Sequence, residues 1–377
     1  MAAAAVVTAL GTTMFPCGAR AQNGTSVGHL QHVQHLAPVF ARLRELEEGR
    51  ASNDVRIQQF GDSHTASDYG TSVLRDALAT RFGDGGRGFV PIGEPYKRLF
   101  QAGEVVSGGT DFRPEEGRFA GGRFVGDGLY GPAGIAMVGR LAGAKVFSRY
   151  STAATSLEVA YLEAPGGGSF DVWLDGKKLA RVTTKRDAPA AAFKLFDVED
   201  GAHRVELRAV GDGEVRVFGV TLDRRPVGIV LDALGINGAK ASTPLDWDDT
   251  HAMDQLRHAQ PALVLFAYGT NESGDGTAIE DHRRAIGHLA QRLKRAVPKA
   301  ACLVLGPPDR TVRKDNAWVP SPRIAEIVAV QRDEARVQGC AFFDQWAAMG
   351  GAGAIDRWAR ESPPRARSDR VHLTRDG

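Results

Sequence analysis

Val55-Arg56-Ile57-Gln58-Gln59-Phe60-Gly61-Asp62-Ser63-His64-Thr65-Ala66 is a short apolar strand that breaks at a glycine into an Asp-Ser turn. The chain then enters an amphipathic stretch at 70–82, with Val73, Leu74, Leu78 and Phe82 on one helical face. A turn placed between a strand and a helix presents its side chain at the carboxyl end of the strand, where open α/β sheets bind their ligands. It also sets the backbone N–H at a helix start, where negative charge is favoured. Alone, Gly61-Asp62-Ser63-His64 decides little, because an Asp-Ser turn before a helix is commonly a cap.

Further along, the same rhythm resumes. Apolar runs at 227–234, 262–268, 301–305 and 341–343 read as buried strands, separated by helical stretches near 251–258, 279–297 and 324–338. Strand alternating with helix predicts a parallel sheet covered on both faces. The interruption at 95–225 has a different texture, Gly-rich with short alternating segments at 157–161, 170–174, 203–207 and 215–218 and a hairpin turn at Asp175-Gly176. It reads as a separate all-β unit, a β-sandwich or jelly roll. Upstream, Leu30, Val33, Leu36, Val39, Phe40, Leu43 and Leu46 recur at helical spacing and predict a leader helix over 26–48, kinked at Pro38. His29, His32 and His35 fan around that helix and do not converge on a metal. The expected division is a signal peptide at 1–21, the leader at 22–50, catalytic parts at 51–94 and 226–377, and the β insert at 95–225.

A chain of 377 residues with 43% hydrophobic and 24% charged residues can bury a sizeable core and lies outside the disordered range. Its formal charge of +2, with no basic block, argues against nucleic acid as a partner. The small-residue run ending in Ala19-Arg20-Ala21 fits signal-peptidase cleavage, so a secreted, periplasmic protein is expected. No later run reaches the roughly 18 apolar residues of a spanning helix, so stable membrane insertion is not expected. Loss of Cys17 with the leader leaves Cys302 and Cys340, either disulfide-bonded in an oxidising compartment or two buried thiols.

The loops at the carboxyl edge of the expected sheet carry the chemistry. Gly235-Ile236-Asn237-Gly238 follows the second strand, Gly269-Thr270-Asn271-Glu272 the third, and Asp369-Arg370-Val371-His372 lies near the end. A nucleophile, a base with an orienting carboxylate and N–H donors for an oxyanion are the parts of an acyl-transfer site. Gly61-Asp62-Ser63-His64, Gly238, Gly269-Thr270-Asn271 and Asp369-x-x-His372 together resemble the four blocks of the SGNH/GDSL hydrolase superfamily. The resemblance covers about two-thirds of the chain and implies a flavodoxin-like three-layer α/β/α domain with strand order 2-1-3-4-5. It further implies a catalytic triad of Ser63, Asp369 and His372, and an oxyanion hole from the Ser63 N–H, the Gly238 N–H and the Asn271 amide. His64 stands where many members carry Leu.

The run Gly61 to Ala66 leading to Phe82-Gly83-Asp84-Gly85-Gly86-Arg87-Gly88-Phe89, with a β-rich insert before the second block, is similar to the periplasmic peptidoglycan O-acetylesterases. That implies an O-acetylated glycan, peptidoglycan, as substrate, an acetyl-Ser63 intermediate and no cofactor or metal. The family continues into a helix beyond the last block, so Gly377 reads as the end of a fragment. An O-acetyltransferase, an esterase for another acetylated polysaccharide, and a non-catalytic glycan-binding protein are the competing readings. The Gly83 to Gly88 stretch follows a helix and reads as a turn instead of a phosphate cradle. Trp173, Trp247 and Trp318 are read as packing residues before sugar platforms.

Overall fold

The computed structural model of the chain describes residues 27–95, 101–116, 119–120, 123–124 and 126–377, so the proposed leader at 1–21 and Cys17 lie outside the described residues. β1 (Leu30–Gln31), a 3-10 turn (Val33–Leu36) and α1 (Ala37–Glu47) precede β2 (Val55–Gly61), α2 (Ser63–Ala66) and α3 (Tyr69–Phe82). A run of strands follows: β3 (Gly86–Val90), β4 (Glu104–Thr110), β5 (Phe112–Glu116), the small pair β6 (Phe119–Ala120) and β7 (Arg123–Phe124), and β8 (Ile135–Gly139). It continues through β9 (Lys145–Glu163), β10 (Ser169–Leu174), β11 (Lys177–Thr183), β12 (Ala190–Ala209) and β13 (Val215–Asp223). Alternation then resumes with β14 (Ile229–Gly235), α4 (Asp249–Ala259), β15 (Leu263–Ala267), α5 (Ile279–Ala296) and β16 (Ala301–Leu305). The hairpin β17 (Thr311–Lys314) and β18 (Ala317–Pro320), α6 (Pro322–Val337), β19 (Ala341–Phe343), α7 (Gln345–Met349) and α8 (Ala354–Ala359) complete the chain.

The first sheet runs β1-β19-β16-β15-β2-β14. Its last five strands are mutually parallel and, counted along the chain, lie in the order 2-1-3-4-5, while β1 adds an antiparallel edge. Side chains alternate across it. Leu263, Leu265 and Leu303 meet Leu74, Leu78, Val39 and Leu43 from α3 and α1, whereas Val264, Phe266 and Val304 meet Ile286, Leu289, Ile324 and Val328 from α5 and α6. α5 places Glu280 and Asp281 in its first turn and Lys294 and Arg295 in its last, matching the helix dipole. Cys302 of β16 and Cys340 form a disulfide.

The predicted leader helix is shorter than its periodicity suggested. Leu30–Gln31 pairs with β19, His32 takes a left-handed conformation, and Pro38 sits in the first turn of α1, where its missing N–H costs nothing. Val73 also departs from expectation: it is 51% exposed although Leu74 and Leu78 are buried.

Strands β3 to β13, apart from the β6–β7 pair, form a nine-stranded antiparallel sheet, with Asp175 and Gly176 both at positive φ in the hairpin between β10 and β11. The segments at 157–161 and 203–207 are parts of the much longer β9 and β12. The glycine stretch after α3 is a turn only to Gly85, because β3 then pairs with β13, upstream of position 95. Gly88 permits this: at φ +76°, a Cβ there would lie 2.2 Å from Asp232 Oδ1. Asp232 instead accepts the Phe89 N–H at 2.8 Å, Gln58 Nε2 at 3.0 Å and Arg56 Nη1 at 3.0 Å, and Arg56 reaches Asp223 at 2.6 Å. Phe89, Tyr130, Ile135, Leu162 and Phe218 of the β region share one buried cluster with Leu234, Trp247 and Phe266 of the α/β region. The two regions therefore share a core, and the insert is not a detachable bead.

Candidate active site

β2 ends at Gly61, and the Asp62 carboxylate caps the four-residue α2 by accepting the His64 N–H at 2.9 Å. The Ser63 hydroxyl is thereby fixed at the carboxyl edge of the parallel sheet, at the end of β2 between β14 and β15. The turn is thus capped by Asp62, and the cap leaves the adjacent Ser63 hydroxyl free to contact His372.

The Ser63 Oγ lies 2.9 Å from His372 Nε2, and His372 Nδ1 lies 2.8 Å from Asp369 Oδ2. Asp369 Oδ1 also accepts the backbone N–H groups of Val371 at 2.9 Å and His372 at 3.0 Å. Its partial burial opposes its charge, but these N–H donors and the His372 ring hold the carboxyl below the ordinary aspartate range. An ionised Asp369 keeps the imidazole proton on Nδ1, which leaves Nε2 to accept the Ser63 O–H. Arg370, at φ +53°, makes the tight bend that allows this, and the Arg367 N–H to His372 carbonyl bond closes the loop at 2.8 Å.

Ser63, Asn237, Gly238, Asn271 and His372 line one cavity of about 980 Å³. Gly238 has φ +79°, so the loop after β14 turns its backbone toward the cavity in a conformation other residues resist. Asn271 Nδ2 donates to the Ala239 carbonyl at 2.8 Å, which uses one amide hydrogen and leaves the second free to donate. Glu272, which sequence reasoning quoted but gave no role, is buried beneath both loops. Its Oε1 accepts the Ala241 N–H at 2.8 Å and its Oε2 the Gly269 N–H at 3.1 Å. His282 Nδ1 lies 3.0 Å from the same carboxylate. Only its place after Asn271 marked Glu272 in sequence.

Of the three tryptophans singled out in sequence, Trp247 is buried, whereas Trp173 and Trp318 are half-buried. Trp247 is 7% exposed against Tyr130, Trp173 carries the Arg208 guanidinium 3.9 Å from its ring centre, and Trp318 is flanked by Arg313 and Arg370 at 5.3 and 5.1 Å. Among the described residues no group of three His, Cys, Asp or Glu side chains is placed to hold a metal ion, and no helix is long and apolar enough to cross a membrane. No described residue of 95–225 lines the cavity.

Residues 203–377 match the GDSL-like Lipase/Acylhydrolase family. That stretch contains Gly238, Asn271, Asp369 and His372 but not Ser63, which lies 309 residues before the His372 it contacts. A solved structure of a peptidoglycan O-acetylesterase superposes with a TM-score of 0.77 at 24% identity, covering 93% of this chain and 95% of that one. A family two carbohydrate esterase from Clostridium thermocellum, in complex with cellohexaose, matches at a TM-score of 0.23 and 13% identity over 54% of this chain and 81% of that one. The structure of TesA matches at 0.29 and 16% identity over 40% of this chain and 72% of that one. No curated protein sequence matches.

Proposed function

We propose that this chain, a carboxylic ester hydrolase whose residues 203–377 carry a GDSL-like lipase/acylhydrolase domain, removes O-acetyl groups from bacterial cell-wall glycan through an acyl intermediate on Ser63. The carrying observation is the relay at the cavity wall, Asp369 to His372 to Ser63, with both links under 3 Å. His372 takes the hydroxyl proton as Ser63 Oγ attacks the acetyl carbonyl, and Asp369 stabilises the imidazolium that forms. The Ser63 and Gly238 N–H groups and the free amide hydrogen of Asn271 receive the oxyanion. His372 then protonates the departing sugar oxygen, and the same ring activates the water that releases acetate.

The substrate class is supported by the peptidoglycan O-acetylesterase named above, with which the chain shares its fold over nearly its whole length. Export is supported by the Cys302–Cys340 disulfide, a bond that persists in oxidising compartments, and by the small-residue leader. In this reading 95–225 positions polymer outside the catalytic cavity. Acetate release should be measured on O-acetylated peptidoglycan, acetylated xylan and a short aryl acetate, with wild type and Ser63→Ala. Release from peptidoglycan that Ser63→Ala abolishes supports the assignment. A faster reaction on xylan redirects the substrate, and acetyl transfer to added sugar in place of acetate release makes the protein a transferase.

A further inference from the structure

The nucleophile turn carries a histidine that the relay does not use. The His64 imidazole packs against His372, with ring centroids 5.5 Å apart and 28° between planes. Its Nδ1 lies 3.2 Å from Asp62 Oδ1, and its Nε2 lies 3.1 Å from the carbonyl oxygen of Val371. Both partners only accept. A neutral imidazole has one N–H and can serve one of them, so the two bonds coexist only on the imidazolium. The groups facing the ring are Asp62 from its own turn, and the Val371 carbonyl, Asp369 and His372 from the C-terminal loop. Burial opposes protonation, but the Asp62 bond and charge, the Val371 carbonyl and the Asp369 charge outweigh it and raise the His64 pKa above the ordinary histidine value.

The loop that bears His372 has few other ties to Ser63. Asp369 and Arg367 are exposed, and the loop's remaining bonds run within itself, to Asp356 of α8, and to Thr311 of the β17 hairpin. Among the described residues, two hydrogen bonds join 61–66 to 367–373: the Ser63–His372 link itself and the His64–Val371 bond. We propose that His64 is a positioning residue whose imidazolium pins the Val371 carbonyl, and with it the His372 ring, to the turn that carries Ser63. Its effect on turnover rests on the serine-esterase reading; the clamp itself does not. As pH rises through the His64 pKa one of the two bonds is lost, the loop loosens, and turnover falls on the alkaline side.

The test compares wild type, His64→Leu and His64→Gln on a short aryl acetate, with thermal melting to check folding. His64→Leu should lower kcat by about tenfold to a hundredfold with KM little changed, since small misplacements of a reacting group cost that much. His64→Gln keeps a donor for Val371 that does not titrate, so it should recover most of the loss and lack the alkaline decline of wild type. In a Ser63→Ala background, amide exchange across 369–373 should quicken on adding His64→Leu, and imidazole NMR should show His64 titrating above the ordinary histidine value. Unchanged exchange, or a His64 that is neutral at pH 7, overturns the clamp. An alkaline limb that persists in His64→Gln overturns its pH dependence, and this variant decides that point should His64→Leu misfold. If Ser63→Ala itself retains turnover, the esterase reading fails while exchange and NMR still judge the clamp.

Discussion

Both regions of the molecule set a histidine against an aspartate, and the two pairs end in different work. In the antiparallel region His203 Nδ1 lies 2.7 Å from Asp175 Oδ2 and its Nε2 2.8 Å from the Glu199 carbonyl, so both ring nitrogens are committed and the β10–β11 turn is tied to β12. At the edge of the parallel sheet His372 Nδ1 meets Asp369 in the same way, but its Nε2 faces the Ser63 hydroxyl on a cavity wall. Both aspartates are held below their ordinary pKa by hydrogen bonds that outweigh burial. The pair itself is therefore not the signature of a site. What separates them is the second nitrogen: in one pair it meets a carbonyl and braces a turn, and in the other it meets a hydroxyl beside open space, the position the proposed base requires.

The sharpest way to break this contrast is to remove the hydroxyl. Ser63→Ala should abolish aryl acetate hydrolysis while leaving the melting temperature unchanged, and His203→Gln should leave kcat at the wild-type level. Residual turnover above a few per cent of wild type in Ser63→Ala, on the scale of ~10³-fold or larger losses expected for a lost nucleophile, would return the Asp369–His372 pair to the status of a brace.

Next in size is the oxyanion side. Asn271→Ala should lower kcat by about a hundredfold to a thousandfold with little change in KM, because one such donor acts mainly on the transition state. It also deletes the Ala239 tether, so a shifted melting temperature beside an unchanged kcat would make Asn271 a loop brace of the His203 kind.

A smaller effect should separate polymer from small substrate. Lys145 and Arg149 on β9 pair in register with Arg208 and Arg204 on β12, which sets four cations on one face of the antiparallel sheet, with Glu206 between the two β12 arginines and ion-paired to both. Peptidoglycan carries carboxylates, so Lys145→Glu with Arg149→Glu should reduce acetate release from polymer severalfold at low salt and less at high salt, where surface charge is screened. Aryl acetate hydrolysis should not change. Equal rates on both substrates before and after the exchange would remove this face from glycan binding. Deleting 95–225 is a poor substitute, since it strips Phe89-linked partners such as Tyr130 and Phe218 from the shared core.

The joint between the regions should give the smallest signal. Burial, opposed by Arg56, pushes the Asp223 carboxyl up to about 6. Between its ordinary value and about 6 the folded state holds the proton more tightly than the unfolded chain, so stability falls as pH rises through that window and levels off above it. Asp223→Asn should flatten the melting temperature between pH 4 and 6.5 without touching kcat, as calorimetry over that range would show. An unchanged slope would mean Arg56 and Asp232 hold the joint alone.

Much of the α/β region was legible because buried parallel strands are continuous apolar runs and their covering helices repeat at helical spacing; 301–305 and 341–343 coincide with β16 and β19. The leader misled because Leu30, Val33 and Leu36 are buried by a strand pairing and a 3-10 turn that share the spacing of a helix. In the antiparallel region the alternation marked only the C-terminal parts of β9 and β12; the N-terminal half of β12 shows little burial contrast and is held by its pairing with β9.

By itself the sequence determined the order of the proposed chemical parts: Ser63, Gly238 and Asn271 each where a strand of the parallel sheet stops and local turn chemistry takes over, and Asp369 with His372 in a loop near the end, beyond α8. Only the tertiary structure decided which nitrogen faces which oxygen. It turned His372 toward Ser63 and His203 toward a carbonyl, gave Glu272 two loop N–H groups, and set His64 between Asp62 and Val371. Those assignments depend on contacts between residues far apart in the chain, and hydrogen bonds of about 3 Å tolerate so little displacement that no local pattern encodes them.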